Sequence, residues 1–241
     1  MKNVNKLLAP IALVASMSVQ ADIIGGSVEA SYWYAGLSGD AAVGSSSVDM
    51  EDELGFDKDS FFELAATVEH PVPLLPNVRL KYTDLDQTET GTLNSNYDGV
   101  TSGPVETNLD LSNVGLVLYY EILDNWVSAD VGLDIRKFDG QLKLTNGTET
   151  SQTDIDEFLP LGYVSAEFAM PFTDMSVGAE ISAISYSGNS IHDAKIRLRQ
   201  GFSLAFLEIG YRQMGIKLED LSNTDIDIDF SGVYLSTGLD F

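Results

Sequence analysis

The chain has 241 residues, enough for one large domain or two small ones, and its 37 acidic against 13 basic residues give a formal charge of −24 that opposes binding to nucleic-acid phosphates. Cysteine is absent, which excludes disulfides, thiol nucleophiles and Cys-ligated metal centres, and two histidines, His70 and His192, are too few for a multi-histidine metal site. A hydrophobic content of 44% is too high for a disordered acidic chain, while 21 glycines, 10 tyrosines and 11 phenylalanines lean toward β structure.

Residues 1–21 read as an address. Lys2 and Lys6 form a positive n-region, Leu7 to Val19 an apolar stretch, and Val19-Gln20-Ala21 a small-residue cleavage site before Asp22. The apolar run is shorter than the ~20 residues of a membrane-spanning helix. Cleavage between Ala21 and Asp22 is therefore expected, leaving residues 22–241 as one exported domain that keeps every acid and loses two bases.

Beyond Ala21 the dominant period is two, the mark of half-buried strands. Val28, Ala30, Tyr32 and Tyr34 share one face against Glu29, Ser31 and Trp33. Phe62, Leu64, Ala66 and Val68 oppose Phe61, Glu63, Thr67 and Glu69; Val78, Leu80 and Tyr82 oppose Arg79, Lys81 and Thr83. Val114 to Tyr120 continues the pattern, and Val127, Ala129, Val131, Leu133 and Ile135 stand against Ser128, Asp130, Asp134 and Arg136. Further strands are expected around Val164–Met170, Val177–Ala183, Lys195–Leu204, Glu208–Arg212 and Val233–Phe241, ten in all. No stretch sustains the three- and four-residue spacing of an amphipathic helix.

Short connections alternate with long polar ones. Residues 71–77, 123–125 and 171–174 are tight, whereas 38–57, 91–105 and 140–154 read as long polar loops; those near Gly188 and Asn223 are shorter. Short turns at one end and long loops at the other fit an outer-membrane barrel, in which apolar side chains meet lipid and polar ones fill the lumen. A soluble β-sandwich would reverse those faces. The chain ends on Phe241, preceded at alternate positions by Leu239, Leu235 and Val233, and this resembles the C-terminal assembly signal of bacterial outer-membrane barrels. The fold expected is an all-β, transmembrane, antiparallel up-and-down barrel of about ten strands.

A narrower likeness lies at the two ends. Gly25-Gly26, followed by Tyr32-Trp33-Tyr34 and Gly36, together with Gly210-Tyr211-Arg212 and Phe230-Ser231-Gly232-Val233-Tyr234-Leu235, looks like a small bacterial outer-membrane β-barrel family with an N-terminal glycine pair. That resemblance implies a fold and a Gram-negative outer-membrane location and assigns no activity. Glycine at a strand start also relieves crowding where a neighbouring backbone closes on it, as at a first-to-last strand seam.

The polar faces supply the candidate site. Lys195, Arg197 and Arg199 project from one face of one strand, and Asp130, Asp134, Arg136, Glu167, Glu180, Glu208 and Arg212 belong to the same lumenal face. Such a set either forms a charged constriction for ions and small solutes or a salt-bridged core that plugs a narrow barrel. The plug is the expectation, because an eight-stranded barrel is already filled by side chains and ten strands enclose little more.

Asp40, Asp49, Glu51, Asp52, Glu53, Asp57 and Asp59 crowd the first polar loop with oxygen donors for Ca²⁺ or Mg²⁺ bridging to lipopolysaccharide, but EF-hand spacing is missing and a hydrated surface is the reading adopted. Asp225, Asp227 and Asp229 are expected on the polar face of a strand above the membrane. An omptin-like protease is the enzymatic alternative, with His192-Asp193 in an outward-facing turn, but the Asp-x-His order of that group is not found. No catalytic residue, metal or cofactor is expected. The expected partners are outer-membrane lipid, lipopolysaccharide and the outer-membrane assembly machinery. The function expected is a structural or surface-interaction barrel, with a narrow passive channel as the alternative.

Overall fold

In the computed structural model, which describes residues 25–72, 74–221 and 224–241, every helix-or-strand element is a strand. Residues 1–21 and the Ala21–Asp22 cleavage site lie outside the described residues, as does Asn223. Thirteen strands follow one another: β1 (Gly25–Val43), β2 (Ser46–Asp49), β3 (Asp59–Glu69), β4 (Asn77–Asp84), β5 (Asp86–Leu93), β6 (Gly103–Asp110), β7 (Asn113–Asp124), β8 (Val127–Thr145), β9 (Thr150–Ala169), β10 (Met175–Tyr186), β11 (Asn189–Phe202), β12 (Ala205–Leu221) and β13 (Thr224–Asp240).

Ten of these close a barrel. β1, β3, β4 and β7 to β13 pair antiparallel in succession, and β13 returns to β1 from Ser27↔Asp240 to Val43↔Thr224. They coincide with the ten strands expected from alternation, and the turn between β11 and β12 falls at Ser203-Leu204. At the seam, the Gly26 and Phe241 backbones exchange two hydrogen bonds of 2.8 and 2.9 Å. A Cβ on Gly26 would meet the Phe241 ring at 2.9 Å and the Thr67 carbonyl at 3.1 Å, whereas one on Gly25 would make only ordinary contact with Glu69. Packing therefore demands the second glycine of the pair.

The long polar loops are the part of the expectation that changes. Residues 38–57 carry the end of β1 and the returning β2; 91–105 lie within the β5–β6 hairpin; 140–154 are mostly the ends of β8 and β9, joined by a turn at 146–149. β9 is 20 residues long, roughly 65 Å at ~3.3 Å per residue, about twice the ~30 Å hydrocarbon core. The strands thus build a second storey above the membrane-spanning one.

The two storeys bury opposite faces. Low on β9, Val164, Ala166 and Phe168 point out and Tyr163, Ser165 and Glu167 point in. High on the same strand Gln152, Asp154 and Asp156 point out, while Ile155 and Leu161 are buried inside. β13 does likewise: Asp225 and Asp227 are exposed above and Ile226, Ile228 and Phe230 buried, whereas below Val233, Leu235 and Leu239 are exposed and Ser236 is buried.

The outer storey packs as two sheets face to face. β2-β1-β13-β12 supplies Ala41, Val48, Ile216, Ile226 and Ile228; β5-β6-β8-β9 supplies Leu93, Val105, Leu109, Leu142, Leu144 and Ile155, all in one apolar cluster. Its floor is a ring triad of Trp33, Phe61 and Phe230 with centroids 5.6–6.2 Å apart. In the lower storey, exposed Leu80, Leu133, Ile181, Ile209 and Leu235 form an apolar belt between Tyr34, Tyr82, Phe158 and Tyr186 on one side and Tyr120, Trp126, Phe168, Phe202 and Phe241 on the other. An apolar band between aromatic girdles is what a lipid-facing barrel wall requires.

Candidate functional site: the charged lumen

Beneath the ring triad the barrel interior becomes ionic. On β8, Asp134 accepts from Lys81 Nζ at 2.9 Å, from Arg136 at 2.7 Å and from the Ser182 hydroxyl at 2.8 Å. Arg136 also lies 2.8 Å from Asp193, which receives both Nε and an Nη of Arg212 at 2.9 and 2.8 Å. Arg212 continues to Glu63 at 3.0 Å, and Glu63 takes Lys195 at 2.6 Å and the Thr83 hydroxyl at 2.9 Å. The Arg212 guanidinium stacks 4.5 Å from the Trp33 ring, which joins this charged layer to the apolar floor above. Side-chain exposure here is 0–7%, so the layer is dehydrated.

A second layer lies nearer the short-turn end and is wetter. Arg79 bridges Glu29 at 3.1 Å and Glu180 at 3.2 Å; Arg197 bonds Glu167 at 2.9 Å and approaches Glu180 at 3.4 Å and Glu208 at 3.7 Å. Tyr234 donates to Glu208 at 2.7 Å, and Arg199 pairs with Asp240 while lying 3.5 Å from the Phe206 ring. Arg199 and Asp240 keep 25% and 49% exposure. Below them a cavity of about 710 Å³ opens at the short-turn end, lined by Glu69, Glu121, Asp130, Arg197 and Tyr119 among others. The lumen is thus open below, charged in the middle and apolar above.

All the lumenal residues expected from sequence point inward, but they are not one cluster. Asp134, Arg136, Lys195 and Arg212 belong to the dry layer, Glu180, Arg197, Arg199 and Glu208 to the wet one; Asp130 lines the cavity and joins none of these ion pairs. Sequence reasoning left Glu63, Lys81, Arg79 and Asp193 out of the site. The first three had a legible signal, since each lies on the polar face of an alternating strand.

Asp193 is a correction. His192-Asp193 is not in a turn but within β11, so the two side chains leave opposite faces: Asp193 is 4% exposed among arginines, while His192 lies outside, 4.0 Å from Asp229. The pair cannot relay a proton. His70, at the other end, is held by Asn77 and by the Pro76 carbonyl.

Three acidic residues of the outer storey, Asp49, Glu53 and Glu149, cap loop backbone. Asp49 Oδ1 accepts the N–H groups of Glu51 and Asp52 at 2.9 and 2.7 Å, and Glu53 accepts those of Asp49 and Asn94. Glu149 accepts the Thr101 N–H at 2.7 Å and the Asn146 amide at 2.8 Å, and these donors hold its carboxyl below the usual carboxylate range. Among the described residues no group of three or more acidic or histidine side chains is arranged to hold a metal ion.

The chain's overall likeness is to one architecture. Over 95% of its length and 99% of the other chain, it superposes on the outer membrane protease OmpT from Escherichia coli with a TM-score of 0.51 at 8% identity. The fold is that of a bacterial outer-membrane β-barrel. The translocator domain of the autotransporter NalP from Neisseria meningitidis matches at a TM-score of 0.49 and 12% identity over 95% of this chain and 92% of that one. The attachment invasion locus protein Ail of Yersinia pestis matches at 0.37 and 10% over 90% and 99%. No protein-family model and no curated protein sequence matches the chain.

Proposed function

We propose that this protein is an outer-membrane barrel of a Gram-negative bacterium whose lumen is sealed and whose work is done at the surface, as a structural or surface-interaction barrel. One observation carries the reading: the charged lumen meets an apolar plug, with Trp33, Phe230, Met214 and Ile228 each 1% exposed or less directly above the Arg212 layer. A hydrated ion would have to cross both a dehydrated salt-bridge layer and a dry core to pass through. The chain would reach its site through a signal cleaved after Ala21 and through the assembly machinery's grip on Phe241, and it would sit among lipid and lipopolysaccharide. The glycine-pair family is the narrower kinship proposed, supported by the close fit of Gly26 beneath Phe241.

A non-catalytic role is part of the proposal. It is supported by the opposite faces of His192 and Asp193. Planar-bilayer recording of the purified protein is the test, with no unitary conductance expected. Stepwise, reproducible conductance by the parent protein would replace the sealed barrel with the narrow channel.

A further inference from the structure

β9 is paired with β8 along almost its whole length, from Thr145↔Thr150 to Val127↔Phe168. Its other edge meets β10 only between Gly162 and Ala169. β10 and β11 turn back at Ser187-Gly188, and residues 150–161 of β9 have no strand partner along this edge among the described residues. No backbone hydrogen bond crosses that edge among the described residues. The corresponding edge of the same sheet, on β5, is covered. There the Thr92 N–H donates to the Glu53 carbonyl at 2.7 Å, and Gly55 and Gly91 allow an approach in which a Cβ would lie 2.5 and 2.0 Å from a carbonyl oxygen.

An uncovered edge offers alternate backbone N–H and C=O groups as a template for a further strand. Here the side chains decide which strand fits. Pro160 lacks an N–H, which confines pairing to the residues above it. Outward Gln152, Asp154 and Asp156 are exposed; Asp156 is already paired with Lys137 on β8, and Asp154 has no basic partner among the described residues. Inward, Ile155 and Leu159 would flank an added strand's apolar face, but between them stands Glu157, half-buried and with neither a hydrogen bond nor an ion pair among the described residues.

An inward charge at a bare edge rejects ordinary apolar strands and so gives the edge selectivity.

We propose that the edge of β9 over residues 151–159 accepts an extended segment of a partner protein by strand addition. The partner segment alternates: basic residues on its outward face beside Asp154, apolar residues inward beside Ile155 and Leu159, and one inward lysine or arginine opposite Glu157. Charge complementarity with this acidic edge selects a basic segment over a second copy of this chain, whose own Asp154 and Glu157 would oppose themselves. The proposal rests on the surface-interaction reading but fails separately from it, since strand addition is read by binding and sealing by conductance.

The test uses the full mature protein in lipid nanodiscs and the peptide Lys-Val-Lys-Arg-Lys-Val-Lys, followed by calorimetry and by backbone amide exchange. Saturable binding is expected, with exchange slowed at residues 151–159 and not on β5 or β6. Glu157→Gln should weaken binding about tenfold, and a peptide N-methylated at alternate residues should not bind. Equal binding by a scrambled peptide of the same composition would overturn the proposal, as would protection elsewhere or no saturable binding. Protection of residues 151–159 that rises with protein concentration in the absence of peptide would assign the edge to a second copy and overturn it too.

Discussion

The lower and outer storeys are built from the same strands and by the same alternation, yet they are chemically inside out. On β9 the change falls between Asp156 and Phe158 on the outward face and between Leu161 and Tyr163 on the inward face. Below it the wall meets hydrocarbon, so apolar side chains gain by facing out and charged ones must find partners within. Above it the wall meets water, and the ordinary logic of a soluble β-sandwich returns. A strand's pattern therefore reports which face is apolar, and only the surroundings tell whether that face is the core.

The sharpest way to break this contrast is to remove one charge from the dry layer. Arg212→Ala leaves Asp193 and Glu63 short of a partner and takes the stacking group from Trp33; a loss of ~3–5 kcal/mol is expected, read as a lower unfolding midpoint in denaturant. In the outer storey the corresponding damage is a void: Ile228→Ala should cost about 2–4 kcal/mol by the same measurement, with lumenal ion pairs untouched.

Arg197→Ala belongs to the wetter layer, where the cavity admits water to the orphaned carboxylates. The expected cost is about 1–2 kcal/mol, between the ranges for exposed and fully buried pairs, and the barrel should stay electrically silent because the plug above is intact. A cost equal to that of Arg212→Ala would show that the two layers are equally dry. The smallest effect has the opposite sign. Asp40 lies directly across from Asp227 on one side and Asp49 on the other, so Asp40→Asn should stabilise by about 0.2–1 kcal/mol, more at low salt than at high. A salt-independent change would mean that repulsion along this row of carboxylates is not what the substitution relieves.

The lower storey was legible in the sequence because its two faces differ so strongly. Leu133 beside Asp134, or Ile196 beside Arg197, leaves no doubt about period or strand. The outer storey was harder to read. In Gln141-Leu142-Lys143-Leu144-Thr145 the alternation is present, but short runs among Gly, Asn and Thr resemble loop composition and hide the strand. The salt-bridged filling of the lumen is expected from the sequence, but the apolar plug above it is not legible there, because its residues come from segments that each carry only a few apolar positions. The lumenal charges were legible as a face and not as a network. Lys195 is in register with Glu180 and Arg212 on its neighbouring strands, yet its 2.6 Å partner is Glu63, from the far side of the barrel wall. Closure creates such pairs, and no local spacing encodes them.

The seam between Gly26 and Phe241 also bears on time. Because β1 completes its pairing only with β13, some two hundred residues further along the chain, no closed ring exists until β13 has been synthesised. Contacts so distant along the chain make folding slow, and until they form both flanking strands keep a bare edge and an apolar face. During that interval the polypeptide depends on being held apart from its own kind. The excess of acidic residues over basic ones supplies part of that separation, by mutual repulsion between unfinished chains.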